Sequence, residues 1–255
     1  MIYEIVYGKE GTSDFQELAT PKEFKGNVKK VFPMLQELRY PSESEVAPKP
    51  VMFCYTKGLK CKAILSCIKW FERRGGNYFA QHLVFENEND LIAAGPAWLI
   101  KRRGFYIDIE KLNDWSESEK DKKKIKEYDW KPIIQQSDYC IGLESEIEPH
   151  IESIIKDIAG TWNNTNEQKA KTKFVLLFDP SRQDDAYRLD MLYELYSRIN
   201  KNKRWDYRFC TFDGQRGRQP PPAWDIVFVA ESDTKTREYY KREKYESINL
   251  KGNDL

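Results

Sequence analysis

The chain has 255 residues, enough to bury a substantial core as one large domain or as two smaller ones. Its 42 lysines and arginines nearly balance 41 aspartates and glutamates, so it lacks the global positive field that non-specific nucleic-acid binding usually requires. Aromatic residues make up 14% of the chain, far more than a disordered polymer would contain. The composition therefore predicts a folded protein with a highly charged surface.

Compartment and metal content are constrained by the apolar runs and by the cysteines and histidines. No apolar run approaches the roughly 20 residues that cross a bilayer, and Met1–Tyr7 contains an acid and no basic residue, unlike a secretory signal. The five cysteines are odd in number and irregularly spaced, which favours reduced, buried thiols in a cytoplasmic protein. With two histidines and no Cys-x-x-Cys pair, we expect no metal site and no cofactor.

The N-terminal third combines strand and short-helix patterns. Residues Ile2 to Tyr7 alternate as a strand whose Tyr3 side faces inward. Residues Thr20 to Glu23 have the spacing of a capping box and predict a short helix, with a second helical piece from Pro33 to Leu38. Residues 51–55, 62–71 and 77–85 are apolar or aromatic and are separated by glycine turns, so they predict an antiparallel meander.

The middle of the chain is more polar. Gly95 to Trp98 predicts a loop with a buried aromatic anchor, followed by a basic turn and a strand from Phe105 to Ile109. Residues 115–127 form a dense charge run that includes three consecutive lysines. We expect this run to be a solvated helix or hinge, because charge blocks usually lie at the surface.

The last third predicts helices and strands in alternation. Pro149 begins a helix with isoleucines at helical spacing that ends at Gly160, and a polar loop follows over 163–173. Phe174–Phe178 is a near-continuous apolar run, typical of a strand covered on both faces. A long helix with a leucine stripe follows it, and two strands cover 207–212 and 224–230.

These elements predict an α+β fold. An N-terminal β-rich half with an antiparallel meander and short helices covers residues 1–114, and a charged connecting region covers 115–148. A C-terminal α/β half with two amphipathic helices covers 149–255. The two halves either form separate units or pack as one continuous domain.

The turn at Gly75–Gly76 gathers several polar residues, and we interpret it as a contact point for a partner protein. Arg73, Arg74, Asn77 and His82 lie around it, and glycine amides with guanidinium groups also suit an anion or nucleotide. A lone Gly-Gly turn lacks the fuller phosphate-loop pattern, and turn arginines are commonly solvated.

Two further segments have binding potential. Lys101, Arg102, Arg103 and Phe105 interleave basic and aromatic side chains, as single-strand nucleic-acid sites do, although the near-neutral charge of the chain argues against that role. Arginines followed by three prolines and a tryptophan suggest a stiff segment presented to a partner protein. That segment consists of Arg216, Arg218, Pro220, Pro221, Pro222 and Trp224.

An acidic cluster after the apolar strand offers a catalytic alternative. Asp179, Asp184 and Asp185 lie where α/β enzymes bind metals or phosphates, and Arg74 could clamp a phosphate in a metal-dependent phosphodiester enzyme or a nucleotide sensor. Helix capping explains Asp184 and Asp185 more simply. The chain has no Gly-x-Ser-x-Gly elbow, and no cysteine has a polar loop setting. We therefore assign no catalytic residue.

Several short motifs resemble the N-terminal region of the bacterial GTPase-associated proteins. They are Tyr7–Gly8, the Arg74–Ala80 turn and strand, the helix from Asp190 to Ile199, and Phe209–Phe212. In that family a histidine directly follows the alanine, whereas here Gln81 stands there and His82 comes next, which moves the side chain to the opposite face. The resemblance implies a protein-binding adaptor in a bacterial antiviral defence system.

We therefore predict a cytoplasmic, non-enzymatic adaptor or regulatory subunit of a bacterial defence or signalling assembly. Its expected partner is another protein of the same gene neighbourhood, with nucleic acid as the less favoured ligand and no membrane contact. Aromatic and arginine residues in loops support this choice, because those types are enriched at interface hot spots.

Overall fold

A computed structural model describes residues 2–8, 16–19, 46–47, 49–57, 61–71, 77–103, 147–214 and 224–251. The strands in these ranges are β1 (Ile2–Gly8), β2 (Gln16–Ala19), β3 (Met52–Lys57), β4 (Ala63–Phe71), β5 (Asn77–Phe85), β6 (Phe174–Phe178), β7 (Phe209–Asp213), β8 (Ile226–Ala230) and β9 (Glu246–Asn249). The helices are α1 (Pro96–Arg103), α2 (Pro149–Asn163), α3 (Glu167–Ala170), α4 (Asp185–Arg198) and α5 (Thr234–Arg242). Short 3-10 turns cover Glu88–Asp90 and Lys201–Lys203.

All strands of the described residues belong to one nine-stranded sheet, in the order β2-β1-β5-β4-β3-β7-β8-β6-β9. Strands β1 to β5 are antiparallel, as the meander prediction requires. Strands β7, β8, β6 and β9 are parallel. The two sets join where β3 pairs antiparallel with β7. This mixed sheet with its helices confirms the α+β prediction.

Both faces of β1 are covered. Tyr3 and Ile5 are buried on one side, and Ile2, Glu4 and Val6 are buried on the other. The prediction that the Tyr3 side faces inward is therefore confirmed, and the opposite side is buried as well. Alternation in the sequence cannot reveal such double coverage, because Glu4 is polar and yet only 2% exposed.

The parallel strands are sandwiched between helices. All five residues of β6 and all five of β8 are buried, as apolar runs in parallel sheets require. On one face, the Trp162 indole of α2 stacks on Tyr207 at 4.0 Å between ring centroids and contacts Tyr196 of α4. On the opposite face, Tyr240 of α5 donates to Asp213 of β7.

The opposite placement of α4 and α5 follows from the register. Phe178 of β6 contacts the Arg188 guanidinium of α4 at 4.2 Å from its ring centroid. Leu177, the residue before Phe178, pairs with Val229 of β8, and Asp213 of β7 pairs with the same valine. Leu177 and Asp213 therefore lie on the same face of the sheet, opposite to Phe178. Because successive side chains of a strand face opposite sides, Asp213 and the α5 tyrosine that binds it lie on the face away from α4.

Several predicted boundaries are wrong. Helix α2 continues through Gly160 to Asn163, and the predicted polar loop over 163–173 contains α3. The predicted loop at Gly95 to Trp98 instead begins α1, with Gly95 at a positive φ of 91° against the Arg204 side chain. Strands β2 and β9 and helix α5 were not predicted.

Some predictions concern residues beyond the described ranges. These are the helices of 20–38, the strand of 105–109 and the charged run of 115–127. Within the described ranges, no helix combines the length and the apolar character needed to cross a membrane.

Candidate functional site

The parallel strands create a topological switch between β6 and β8, which are neighbours in the sheet. After β6 the chain crosses one face through α4 to reach β7, and after β8 it crosses the other face through α5 to reach β9. Where adjacent connections leave on opposite faces, a crevice opens beyond the carboxyl ends of the strands, and α/β proteins bind ligands there. We name this region, formed by Asp179, Ser181, Glu231 and Lys251, the carboxyl-end crevice.

Lys251 bridges the two acids of the carboxyl-end crevice. Its Nζ lies 2.5 Å from Glu231 Oε2 and 3.5 Å from Asp179 Oδ2. The lysine side chain is 39% exposed and the two acids are 20% and 22% exposed, so the network faces solvent. The second carboxylate oxygen of Glu231, Oε1, is buried and has no hydrogen-bond partner among the described residues.

Hydrogen bonding fixes the charge state of this network. Ser181 donates its backbone N–H to Asp179 Oδ1 at 3.0 Å and its hydroxyl to the same atom at 2.7 Å. These bonds, followed by the Lys251 charge, lower the pKa of Asp179. The hydrogen bond to Glu231 raises the pKa of Lys251. Both groups are therefore charged at neutral pH.

The helix ends beside the carboxyl-end crevice are capped by the chain's own carboxylates. Asp184 accepts a hydrogen bond from Tyr187 N at 2.8 Å at the start of α4. Asp233 accepts from Thr236 N at 3.0 Å and from its hydroxyl at 2.8 Å at the start of α5. The positive ends of both helix dipoles are thus already offset. The crevice consequently suits a cationic group better than a phosphate.

The three acids of the catalytic alternative share no partner. Asp179 binds Ser181 and Lys251, and Asp184 caps α4, as the capping interpretation predicted. Asp185 accepts from Val51 N at 2.9 Å and from the Arg188 guanidinium at 2.5 Å. No group of three metal-ligating side chains occurs in the described part of the chain. The three carboxylates that the metal hypothesis grouped therefore have different hydrogen-bond and ion-pair partners.

Arg188 is one of several buried charged residues that the sequence did not reveal. It is 1% exposed, and it donates to Thr211 O at 2.8 Å and Gln183 O at 2.6 Å in addition to Asp185. Asp185 therefore holds an internal arginine in place and fastens β3 to α4 through Val51. An Asp followed three residues later by Arg in a helix was the available signal.

His82 lies inside the sheet, away from the turn with which the sequence grouped it. It is completely buried in mid-strand, where it pairs with Ile5 and Ser66. Its Nδ1 is 2.7 Å from Ser66 Oγ, and Nε2 has no partner among the described residues. Burial lowers the pKa of His82 to about 3, so the ring is neutral at physiological pH. Asn77 begins β5, whereas Arg73 and Arg74 lie outside the described residues.

Lys101 of the predicted nucleic-acid segment has an internal role. Its ammonium is ion-paired with Asp190 of α4 and lies 5.6 Å from the Tyr193 ring centroid, and its side chain is only 17% exposed. Lys101 therefore fastens α1 to α4, and its contact with nucleic acid stays a prediction. Arg102 and Arg103 end α1, and Phe105 lies outside the described residues.

Of the six residues predicted to form the partner-binding segment, the structure describes the last, Trp224. Residues 215–223, which include both arginines and the three prolines, lie outside the described ranges. Trp224 is completely buried, and its carbonyl accepts a hydrogen bond from the Tyr245 hydroxyl at 2.5 Å. Trp224 thus anchors the entry to β8 through a buried side chain, and its contact with a partner stays a prediction.

Sequence reasoning found Asp179 but missed Glu231 and Lys251, which lie far from it along the chain. No motif links the three residues, and only the parallel pairing of β6 with β8 and β9 brings them together. In comparisons with known proteins, no protein-family model and no curated protein matches this chain.

Proposed function

We propose that this protein is a non-enzymatic adaptor or regulatory subunit that binds a basic side chain of a partner protein in the carboxyl-end crevice. The observation that carries the proposal is the Lys251 ammonium between Glu231 and Asp179. It has the geometry in which a partner's lysine or arginine would be held. Charged hydrogen bonds of this kind are about twice as strong as neutral ones.

The charges of the crevice support this choice of ligand. Asp179 and Glu231 contribute two negative charges against one positive charge from Lys251, and both acids are partly exposed. A guanidinium group presents several N–H donors in a fixed fork and would bind the exposed parts of these carboxylates. The expected partner therefore presents an arginine or lysine at its interface.

The proposed setting is a cytoplasmic bacterial defence or signalling assembly. The sequence resemblance supports the defence assignment, and the partner would be encoded nearby. Cys54, Cys61, Cys67 and Cys210 are buried free thiols, which is consistent with a reducing compartment. The Arg73 to Asn77 turn and the Arg216 to Pro222 segment remain candidate contacts for the same partner.

Site-specific photo-crosslinking in the native cells tests this proposal. A photoreactive amino acid replaces Ser181 at the rim of the crevice, and in a control protein it replaces Glu238, an exposed residue of α5. We expect one defined protein to crosslink from position 181 and not from position 238. The adduct should fall at least fivefold when Asp179→Asn and Glu231→Gln are combined.

A control variant tests whether the crosslink depends on the two crevice acids or only on the overall negative charge of the surface. Glu243→Gln removes one exposed carboxylate near the end of α5 and should leave the adduct unchanged. Equal adducts from positions 181 and 238, or an adduct insensitive to loss of both crevice acids, would exclude the crevice as the docking site.

A further inference from the structure

A concave site lies at the amino ends of the parallel strands, opposite to the carboxyl-end crevice. It is a groove of about 500 Å³, within the size range of small-molecule sites. We name it the amino-end groove. The lining residues used below are Lys171, Lys173, Lys203, Asp206, Tyr207 and Asp225.

Three acids line the amino-end groove, Glu167, Asp206 and Asp225, and each already has a basic partner; that of Glu167 is Lys171. Asp225 binds the Arg208 guanidinium at 3.0 Å and accepts the Arg208 backbone N–H at 2.7 Å. Asp206 binds Lys57 at 2.9 Å. Both of these cations lie outside the groove lining. The two aspartates are therefore offset by charges that do not belong to the groove.

Two lysines of the groove have no such partner. Lys203 Nζ donates to two main-chain carbonyls at the end of α2, Trp162 O at 3.2 Å and Asn164 O at 3.4 Å. Lys173 Nζ lies 5.4 Å from the centroid of the Tyr245 ring. Among the described residues, neither ammonium has a carboxylate within 4.0 Å. An ammonium group has three N–H donors, so Lys203 retains one for a ligand.

The floor of the groove is rigid and partly aromatic. The Tyr207 ring stacks on Trp162 with an interplanar angle of 5°, and its hydroxyl donates to Trp162 O at 2.8 Å. Burial, and secondarily the charges of Asp206 and Asp225, raise the pKa of Tyr207 to about 12, so the hydroxyl stays protonated and keeps this bond. The Tyr207 ring and the aliphatic stems of the lysines add apolar surface to the groove lining.

We infer that the amino-end groove binds a small phosphate monoester, with Lys173 and Lys203 as its cationic contacts. A phosphate monoester has a charge of roughly −1.5 to −2 at neutral pH, which matches two ammonium groups better than a monocarboxylate does. The organic part of the ligand would lie against Tyr207. This site is separate from the carboxyl-end crevice, so either proposal can fail without the other.

Isothermal titration calorimetry tests the inference with three probes: glucose 6-phosphate, adenosine 5′-monophosphate and inorganic phosphate. Adenosine and acetate serve as the uncharged and the carboxylate controls. We expect saturable binding of at least one phosphate monoester with one site per chain. Binding should weaken at least tenfold in Lys173→Gln and in Lys203→Gln. Glutamine keeps a donor at position 203 for the carbonyls while removing the charge.

Lys171→Gln is the matched control in the same groove. Lys171 pairs with Glu167 at 3.7 Å and its side chain is 78% exposed, so its loss should change affinity less than twofold. Absence of binding by all three phosphate probes at millimolar concentration would overturn the inference. Unchanged affinity in both Lys173→Gln and Lys203→Gln would overturn it too, since the phosphate would then be bound elsewhere. Circular dichroism melts confirm that each variant is folded.

Discussion

Replacing Arg188 with methionine is expected to destabilise the protein by about 3 to 5 kcal/mol, because two buried main-chain carbonyls lose hydrogen bonds from a charged donor. Arg188 is 1% exposed and donates to two main-chain carbonyls, Thr211 O and Gln183 O, as well as to Asp185. Each hydrogen bond from a charged donor contributes about 1.5 to 3 kcal/mol, so the two carbonyls account for most of the loss. Methionine fills most of the space of the arginine stem, so little of the effect comes from a cavity.

Arg198 provides a control on the same helix. Its guanidinium lies 3.3 Å from Glu152, but the two side chains are 34% and 42% exposed, so Arg198→Met should cost less than about 1 kcal/mol. Both variants are compared with the unaltered protein by urea unfolding, followed by circular dichroism and by tryptophan fluorescence. A loss below about 1 kcal/mol for Arg188→Met, or one no larger than that of Arg198→Met, would refute the idea that burial makes Arg188 the stronger of the two.

Three further predictions concern other buried groups. Unfolding removes His82 from its buried site, and its pKa then returns from about 3 to the ordinary 6.5; below pH 6.5 the unfolded chain therefore binds a proton that the folded one does not. The stability from neutral His82 is thus complete above pH 6.5 and is lost as the pH falls toward 3. Between pH 6 and 5 the free energy of unfolding should fall by roughly 1 kcal/mol more in the unaltered protein than in His82→Gln, and parallel urea-derived profiles would contradict this. Tyr240→Phe removes a 2.5 Å hydrogen bond to a buried carboxylate of β7 and should cost about 1 to 3 kcal/mol in thermal unfolding, whereas Tyr239→Phe should cost less than about 0.5 kcal/mol. In a Cys140→Ser variant at pH 8, the four buried thiols should react with a disulfide reagent only after denaturant is added, since burial blocks access of the reagent and also raises the pKa of Cys61 and Cys67; rapid reaction of the folded protein would contradict their burial.

Local sequence patterns located the elements whose burial is continuous or strictly periodic. β5 begins and ends at its predicted residues, and β6 was located by its unbroken apolar run. In α2 the predicted isoleucine stripe is largely buried. Helix α5 escaped detection because it buries only Thr236 and Tyr240, and charged residues dominate the rest. A helix with so narrow a buried stripe gives little periodic signal.

The candidate site was only partly predictable. Asp179 follows an obvious strand, and the N-cap role of Asp184 follows from the helix that begins beside it. Lys101 looked exposed because it stands in a basic run, yet α1 packs its ammonium against Asp190. A run of charges in the sequence specifies neither the partner nor the exposure of each charge, because both depend on which helix packs alongside.

The sequence by itself determined the α+β class, the antiparallel meander and the fully buried strand β6, because apolar periodicity and glycine turns act locally. The tertiary structure decided the order of the parallel strands, and with it the meeting of Asp179, Glu231 and Lys251. It also decided which polar groups are internal, among them Arg188 and His82. Such outcomes depend on contacts between residues far apart along the chain, and their free energies are set by burial and charge pairing that no local pattern encodes.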